Sequence, residues 1–272
     1  MAQKKPKWVI QKERDRRAAA AETVWLFGLH AVRDALLNPM REKLKLVVTK
    51  NAADRLADAI PAAGDLQIET SDPRKFAAPL DPQSVHQGAA LEVKPLDWGS
   101  LSDLCAPHGQ PARVLVLDRV TDPHNVGAML RSAEVFGARA VIAPHRYSAP
   151  ETGALAKTAS GALERQPYVR VKNLATAMET LRDMGYTLVG LDETGADTLD
   201  ATTRGMDGPL ALVLGAEGPG LRDKTKDTCD VLARIDPVGS FGSLNVSNAA
   251  AVALYETKVP KPPDVGHGPA TE

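Results

Sequence analysis

The sequence predicts an α/β protein, with a mostly parallel sheet over its second half and a smaller α/β unit before it. Three observations predict this. RVLVLD (113–118), AVIAP (140–144) and PLALVLG (209–215) are apolar without alternation, the pattern of strands buried on both faces. Stretches with helical periodicity lie between them, and parallel neighbours need such crossovers. Finally, 43% of the 272 residues are hydrophobic but only 4% are aromatic, so the core is aliphatic, built from Ala, Leu and Val.

The first unit is predicted over 24–93. In WLFGLHAVRDALLNP, Val32, Ala35 and Leu36 fall at helical spacing, and Asn38-Pro39 stops the helix. LKLVVT (44–49) reads as a strand, NAADRLADAI (51–60) as a helix capped by Asn51, and LQIET (66–70) as a second strand. Asp72-Pro73 opens a turn or short helix, and HQGAALEV (86–93) supplies a third strand. Residues 94–112, with Pro95, Pro107 and Pro111, read as a linker with at most one short helix around Leu101–Leu104.

The second unit is predicted over 113–258. After the strand 113–118, a helix runs from His124 to Gly137, with Asp122 as N-cap, Pro123 at the first helical position, and Val126, Met129, Leu130 and Ala133 as its buried stripe. Strand 140–144 leads to a helix of small residues (151–163) and a helix over 174–185 closed by Gly185. YTLVGLD (186–192), PLALVLG (209–215) and VLARID (231–236) are strands, and SLNVSNAAAVALYETK (243–258) is the last helix, with Ser243 as its eligible N-cap. The tail 259–272 is rich in Pro and Gly and is expected to be disordered.

Composition excludes several classes. No apolar run approaches the ~20 residues that span a bilayer. Cys105 and Cys229 are alone and far apart, which excludes a disulfide scaffold and a C-x-x-C metal clip and fits a reducing cytoplasm. The formal net charge is -1, but it is unevenly spread. Seven Lys and Arg against Glu13 and Asp15 give residues 1–20 a net +5, which leaves −6 for the rest. The arm (1–23) can neutralise phosphates, and Trp8 within it can stack on an unpaired base; the alternative is a solvated terminus. No apolar stretch follows the arm to make a signal peptide, and Glu13, Asp15 and Glu22 count against a mitochondrial transit peptide.

Three strand-to-helix segments carry candidate chemistry. In LDRVTDPHNVGAMLRSAEVFGA (117–138), Asn125 sits at a helix start near free N–H groups. Arg131 has Gly127 and Ala128 one turn back, so a large group can approach its guanidinium. The alternative is a capping Asn and a surface Arg. In LVLGAEGPGLR (212–222), Gly215, Gly218 and Gly220 follow a buried strand in a G-x-x-G-x-G order that is not the dinucleotide fingerprint. Glu217 in that loop can accept hydrogen bonds from a substrate, or cap a helix starting near Leu221. In IDPVGSFGSLNVSNAAAVALYE (235–256), a Gly/Ser loop leads into an Ala-rich helix with Asn245 and Ser247 in its first turn. Three such loops at the carboxyl ends of strands in one sheet point to a shared ligand crevice.

Taken together, N-V-G-A-M-L-R-S-A (125–133), K-T-A-S-G-A-L-E (157–164), L-V-L-G-A-E-G-P-G-L (212–221) and S-L-N-V-S-N-A-A (243–250) resemble the SpoU-type RNA 2′-O-ribose methyltransferases of the SPOUT, or α/β-knot, class. F-G-L-H-A-V-R-D-A-L (27–36) and V-H-Q-G-A (85–89) resemble the L30e-like RNA-binding domain of one branch, which includes enzymes methylating a guanosine ribose of 23S rRNA. The resemblance implies a trefoil knot, a homodimer, a cytoplasmic enzyme without metal, and S-adenosylmethionine as cofactor. It implies Asn125, Arg131, Glu217 and Asn245 as the polar catalytic set. It implies Gly215, Glu217, Gly218, Ile235, Pro237, Ser243, Leu244 and Val246 around the cofactor. A guanidinium is effectively always charged, so Arg131 suits electrostatic stabilisation or phosphate clamping better than proton removal, and Glu217 is the easier proton acceptor. Asp236 stands where family members commonly have Pro, and the arm is not part of the family pattern. A tRNA substrate, or a non-catalytic RNA-binding assembly factor, are the alternatives; the front domain favours rRNA. With so few aromatics, RNA recognition is expected to rest on shape, phosphates and the 2′-OH more than on base stacking.

Deleting residues 1–22 is expected to lower RNA affinity and to flatten its dependence on salt, by roughly 0.7–0.9 in log–log slope for each phosphate that the arm neutralises. A binding series over salt concentration measures this, and an unchanged affinity and slope would remove the arm from RNA binding.

Overall fold

Residues 23–238 and 244–258 are described by a computed structural model. The basic arm with Trp8, the Gly/Ser loop with Ser243, and the Pro/Gly-rich tail lie outside the described residues. The first sheet has four strands in the order β1-β4-β2-β3: β1 (Val24–Phe27), β2 (Lys43–Val48), β3 (Gln67–Thr70) and β4 (Ala89–Val93). β4 runs antiparallel to both neighbours, while β2 and β3 are parallel. Helices α1 (Leu29–Leu37) and α2 (Lys50–Arg55) complete this unit. Helix α3 (Leu101–Cys105) follows in the connecting segment.

The second sheet has seven strands in the order β7-β6-β5-β10-β8-β11-β9, every pairing parallel. Its strands are β5 (Arg113–Asp118), β6 (Ala140–Pro144), β7 (Tyr168–Val171), β8 (Thr187–Leu191), β9 (Asp197–Thr198), β10 (Leu210–Gly215) and β11 (Val231–Arg234). The central β5, β6 and β10 are buried at every residue, as expected for strands covered on both faces. Helices α4 (Pro123–Val135), α5 (Gly153–Ala159), α6 (Leu174–Asp183), α7 (Leu199–Thr203), α8 (Asp223–Thr228) and α9 (Val246–Glu256) connect or cover them.

The bounds of β5 and β6 are as expected, and Asp122 caps α4 by accepting from the His124 N–H at 2.9 Å. Other expectations are corrected. β1, β7, β9 and α7 carried too short a pattern to be read from sequence. Thr49, not Asn51, caps α2: its hydroxyl accepts from the Ala52 N–H, and Asn51 lies one residue inside the helix. The small-residue helix stops at Ala159 instead of running to 163, because Ser160 (φ 50°) and Gly161 (φ 89°) turn left-handed. The Asp34 carboxylate fills the space a side chain at Gly161 would need. The last helix is capped by Asn245, whose Oδ1 accepts from the Ser247 N–H at 2.9 Å, so it begins at Val246 and not near Ser243.

The two sheets are joined through a buried ion cluster. Arg41, at 0% side-chain exposure, sends Nε and Nη2 to the two oxygens of Glu164 (3.0 and 2.7 Å) and Nη1 to Glu151 and the Lys94 carbonyl. Asn38 Nδ2 donates to the same Glu164 carboxylate at 2.9 Å. Close beside it, Gly153 lets β1 lie against α5, since a Cβ there would stand 2.4 Å from both the Trp25 carbonyl and the Phe27 ring. The fork of Arg41 matches a carboxylate bidentately, so its removal leaves two buried acids without a counter-charge. Arg41→Ala is therefore expected to destabilise the protein by about 3–5 kcal/mol, read as a lowered midpoint in urea unfolding; a change under about 1 kcal/mol would show the cluster to be no more than a surface pair.

Candidate active site

The site lies at the carboxyl edge of the second sheet. β5 and β10 are neighbours there, and their register sets Asp118 opposite Gly215. Asp118 is fully buried and serves as the anchor of the loop that follows β10. Its carboxylate accepts from the Arg222 backbone N–H (3.1 Å), from Arg222 Nε (2.8 Å) and from the Thr225 hydroxyl (2.7 Å), and Arg222 Nη2 closes the ion pair at 2.6 Å. The loop folds back on itself, with the Gly220 N–H donating to the Ala216 carbonyl at 2.9 Å.

This geometry also gives Gly215 a packing role. A Cβ at Gly215 would lie 2.1 Å from the Gly220 carbonyl carbon and 2.2 Å from the Leu221 nitrogen. The missing side chain therefore accommodates the returning loop, while Gly215 also lines the adjoining cavity. Gly218 (φ 84°) has nothing within 4 Å of a Cβ position and stands at the open side. Glu217 does not cap a helix: α8 starts two residues after Leu221, which is buried as a plug under the loop.

Glu217 instead meets two amides from distant parts of the chain. Asn245 Nδ2 donates to Glu217 Oε1 at 3.0 Å and to Asn125 Oδ1 at 3.0 Å, and Asn125 Nδ2 donates to Glu217 Oε2 at 3.4 Å. Asn245 Oδ1 accepts from the Ser247 hydroxyl and N–H, so the amide is oriented as well as placed. Asn125 is buried, whereas Glu217 is exposed and keeps one side toward solvent. Three of the four expected catalytic side chains are thus brought into one cluster.

Arg131 is not brought into it. Six residues beyond Asn125 on α4, it is exposed and makes no hydrogen bond or ion pair among the described residues. The small residues before it also serve otherwise than expected. A Cβ at Gly127 would stand 2.7 Å from the Leu155 carbonyl and 2.8 Å from Thr158 Cβ, so Gly127 lets α4 and α5 pack closely and opens no path to the guanidinium.

Beside the Asn–Glu–Asn cluster is a cavity of about 410 Å³. Gly215, Glu217, Gly218, Ile235, Leu244 and Val246 all line it. Pro237 does not; it is exposed, and Ser243 lies outside the described residues. Leu191, Leu214 and Ala249 extend the apolar wall, and Asp192, Thr194 and Lys226 form a polar rim that sequence reasoning missed. Asp192 accepts from the Thr194 N–H (3.0 Å) and pairs with Lys226 Nζ (2.7 Å). Its burial opposes ionisation, but the Lys226 and Thr194 contacts outweigh that and hold its carboxyl below the usual range. The signal was present, since Asp192 follows β8 as Asp118 ends β5, at the same edge of the sheet. The unusual Asp236 is explained locally: it accepts from Arg234 Nε at 2.6 Å, and Arg234 Nη1 donates to the Gly195 and Ala196 carbonyls, which ties the exit of β11 to the β8–β9 loop.

Comparison with known proteins identifies the family. A model of the SpoU rRNA Methylase family matches residues 112–255, and one for RNA 2′-O ribose methyltransferase substrate binding matches residues 25–98. The 23S rRNA (guanosine-2′-O-)-methyltransferase RlmB of Vibrio cholerae is 42% identical over 238 residues, covering 85% of this chain and 94% of its own. The protein of the same name from Coxiella burnetii is 39% identical over 240 residues, covering 86% and 94%. The crystal structure of the SpoU methyltransferase AviRb from Streptomyces viridochromogenes in complex with the cofactor AdoMet shares the fold, with a TM-score of 0.75 at 24% identity over 89% of this chain and 91% of that one. On the family match and the identity to these relatives, the chain belongs to the SpoU rRNA methylase family.

Proposed function

We propose that this protein transfers the methyl group of S-adenosylmethionine to the ribose 2′-hydroxyl of a guanosine in 23S rRNA. The observation that carries this reading is the Asn125–Glu217–Asn245 cluster beside the cavity at the carboxyl edge of the sheet. Relatives about 40% identical over most of the chain carry that activity in their names.

The cavity fits the cofactor chemically. Leu191, Leu214, Leu244, Val246 and Ala249 offer an apolar wall for an adenine ring. The Asp192 carboxylate, held ionised beside Lys226, can accept from ribose hydroxyls, and the exposed backbone at Gly218 allows close approach. When bound, the cofactor supplies an electrophilic sulfonium methyl. Glu217 takes the proton of the attacking 2′-OH. Asn125 and Asn245 hold both carboxylate oxygens and leave the exposed side of Glu217 to the substrate. Arg131 contributes a fixed positive charge for a backbone phosphate or the developing alkoxide once RNA is bound. Alignment of the ribose oxygen with the methyl carbon supplies much of the rate.

The same reading covers assembly and location. The faces of α4 and α9 expose Val135, Val252 and Tyr255, an apolar surface that suits pairing with a second copy. A trefoil knot in the second unit and action in the cytoplasm, where rRNA is made and modified, belong to the reading as well. Among the described residues, no helix is long and apolar enough to cross a membrane, and no group of His, Cys, Asp and Glu is placed to hold a metal ion.

Methyl transfer from labelled S-adenosylmethionine to 23S rRNA, with the modified ribose mapped, tests the reading; cofactor binding without transfer to any RNA would refute it. Glu217→Gln is expected to lower kcat by about 10²–10⁴ with the fold intact, because the amide keeps the shape but accepts no proton. Arg131→Ala is expected to lower kcat/KM by about 10²-fold without changing cofactor affinity. Unchanged transfer by that variant, with its folded state verified by circular dichroism, would take Arg131 out of the catalytic set.

A further inference from the structure

We propose that Arg119 and Tyr147 form a stacking platform for a nucleobase of the substrate RNA, next to the methyl-transfer site; this rests on the function proposed above. The Arg119 guanidinium carbon lies 4.4 Å from the centroid of the Tyr147 ring. Such a pair buries one ring face under a cation and leaves the other available. Tyr147 is 65% exposed, in a chain with only four tyrosines.

Backbone conformation marks the same two residues, among five non-glycine positions of positive φ in the described residues. Arg119 and Tyr147 both have φ of 62°, a region that L side chains adopt at a cost. Neither residue is packed in the core, so burial does not compensate for the strain. The loop that carries Tyr147 is held firmly. The His145 N–H donates to the Val171 carbonyl (2.7 Å), the Ser148 hydroxyl to the Pro144 carbonyl, the Ala149 N–H to the Val120 carbonyl (3.3 Å), and the Tyr168 hydroxyl to the Ala149 carbonyl (2.7 Å). The last two of these bonds tie the loop to the β5–α4 connection and to β7. An exposed aromatic at the tip of a braced, strained loop is preorganised for contact, not for stability.

Position in the sheet supplies the ligand. Arg119 directly follows Asp118, which is paired in register with Gly215, and Glu217 stands two residues beyond Gly215. The loop after β6 lies on the far side of β5. Along the carboxyl edge the order is therefore cavity at β11, β8 and β10, then Glu217 after β10, then Arg119 after β5, then Tyr147 after β6. Adjacent strands are roughly 4.8 Å apart, so β6, whose exit loop carries Tyr147, stands about 10 Å along the edge from β10, whose exit loop carries Glu217. A ribose at Glu217 puts its own base, or that of the next nucleotide, within reach of the platform. Exposed His145 and Arg146 flank Tyr147, and Arg146 makes no ion pair among the described residues, which suits a phosphate backbone. Stacking on aromatic and guanidinium planes is the usual way proteins hold unpaired RNA bases.

Glycine accepts a φ near 60° without strain, so Tyr147→Gly and Arg119→Gly remove the platform while favouring the loop conformation. The full-length variants are compared with wild type in thermal unfolding, S-adenosylmethionine binding and kcat/KM on 23S rRNA. Expected are an unchanged or raised melting temperature, unchanged cofactor affinity, and a kcat/KM lowered about tenfold, mostly through KM. Tyr147→Phe, which keeps the ring, is expected to retain wild-type values. Wild-type methylation with both glycine variants undiminished would overturn the platform alone. Absence of methylation by the wild type would overturn the functional reading and the platform with it.

Discussion

The architecture of the site depends on one buried carboxylate. Asp118 ends the central strand β5 with no solvent contact, and all its acceptor capacity is directed at Arg222 and Thr225. A buried charge is tolerated only when paired and hydrogen-bonded, so the Arg222 end of the β10 loop has one place to be. With that end pinned and Gly215 allowing the backbone to fold back at van der Waals limits, the intervening residues Ala216–Gly220 are confined to a short reversal. Glu217 projects from it toward the two asparagines. The carboxylate proposed to take the proton is therefore placed by a second carboxylate buried beneath its loop.

The same logic operates between the two sheets. Arg41 lies in the first unit, while Glu151 and Glu164 flank α5 in the second. Charged groups sealed in an interface resist separation, because parting them leaves each without its partner. Gly153 and Gly161 add close backbone approach at the same seam, where Trp25, Phe27 and Asp34 of the first unit occupy the space of absent side chains. The seam thus fixes the first unit against the second, which suits the proposed reaction, whose rate depends on alignment.

Much of this was legible in the sequence. The strands at 113–118, 140–144 and 210–215 stood out because burial on both faces leaves a continuous apolar run. The Asp122-Pro123 start of α4 was equally plain, since capping is a matter of two or three adjacent residues. β7, β9 and α7 were not, because YVRV, DT and LDATT show neither a continuous apolar run nor a period. Several of the residues that line the cavity stood in motifs, yet Asp192 and Asp118 were missed: each reads as the polar end of a strand until its partners are known.

What the sequence by itself determined is whatever neighbours along the chain decide: the buried strands, the Asp122 cap of α4, the aliphatic core and the family motifs. What only the tertiary structure decided is who meets whom. Asn125, Glu217 and Asn245 lie 28 to 120 residues apart and become one cluster through hydrogen bonds that no local pattern encodes. Gly127 looks like an opening beside Arg131 in the sequence, but in the fold its space is filled by the protein's own backbone and side chains. The physical reason is the same in each case. Periodicity and capping act over a few residues, whereas close packing and charge pairing act across space, between segments that the parallel sheet brings to one edge.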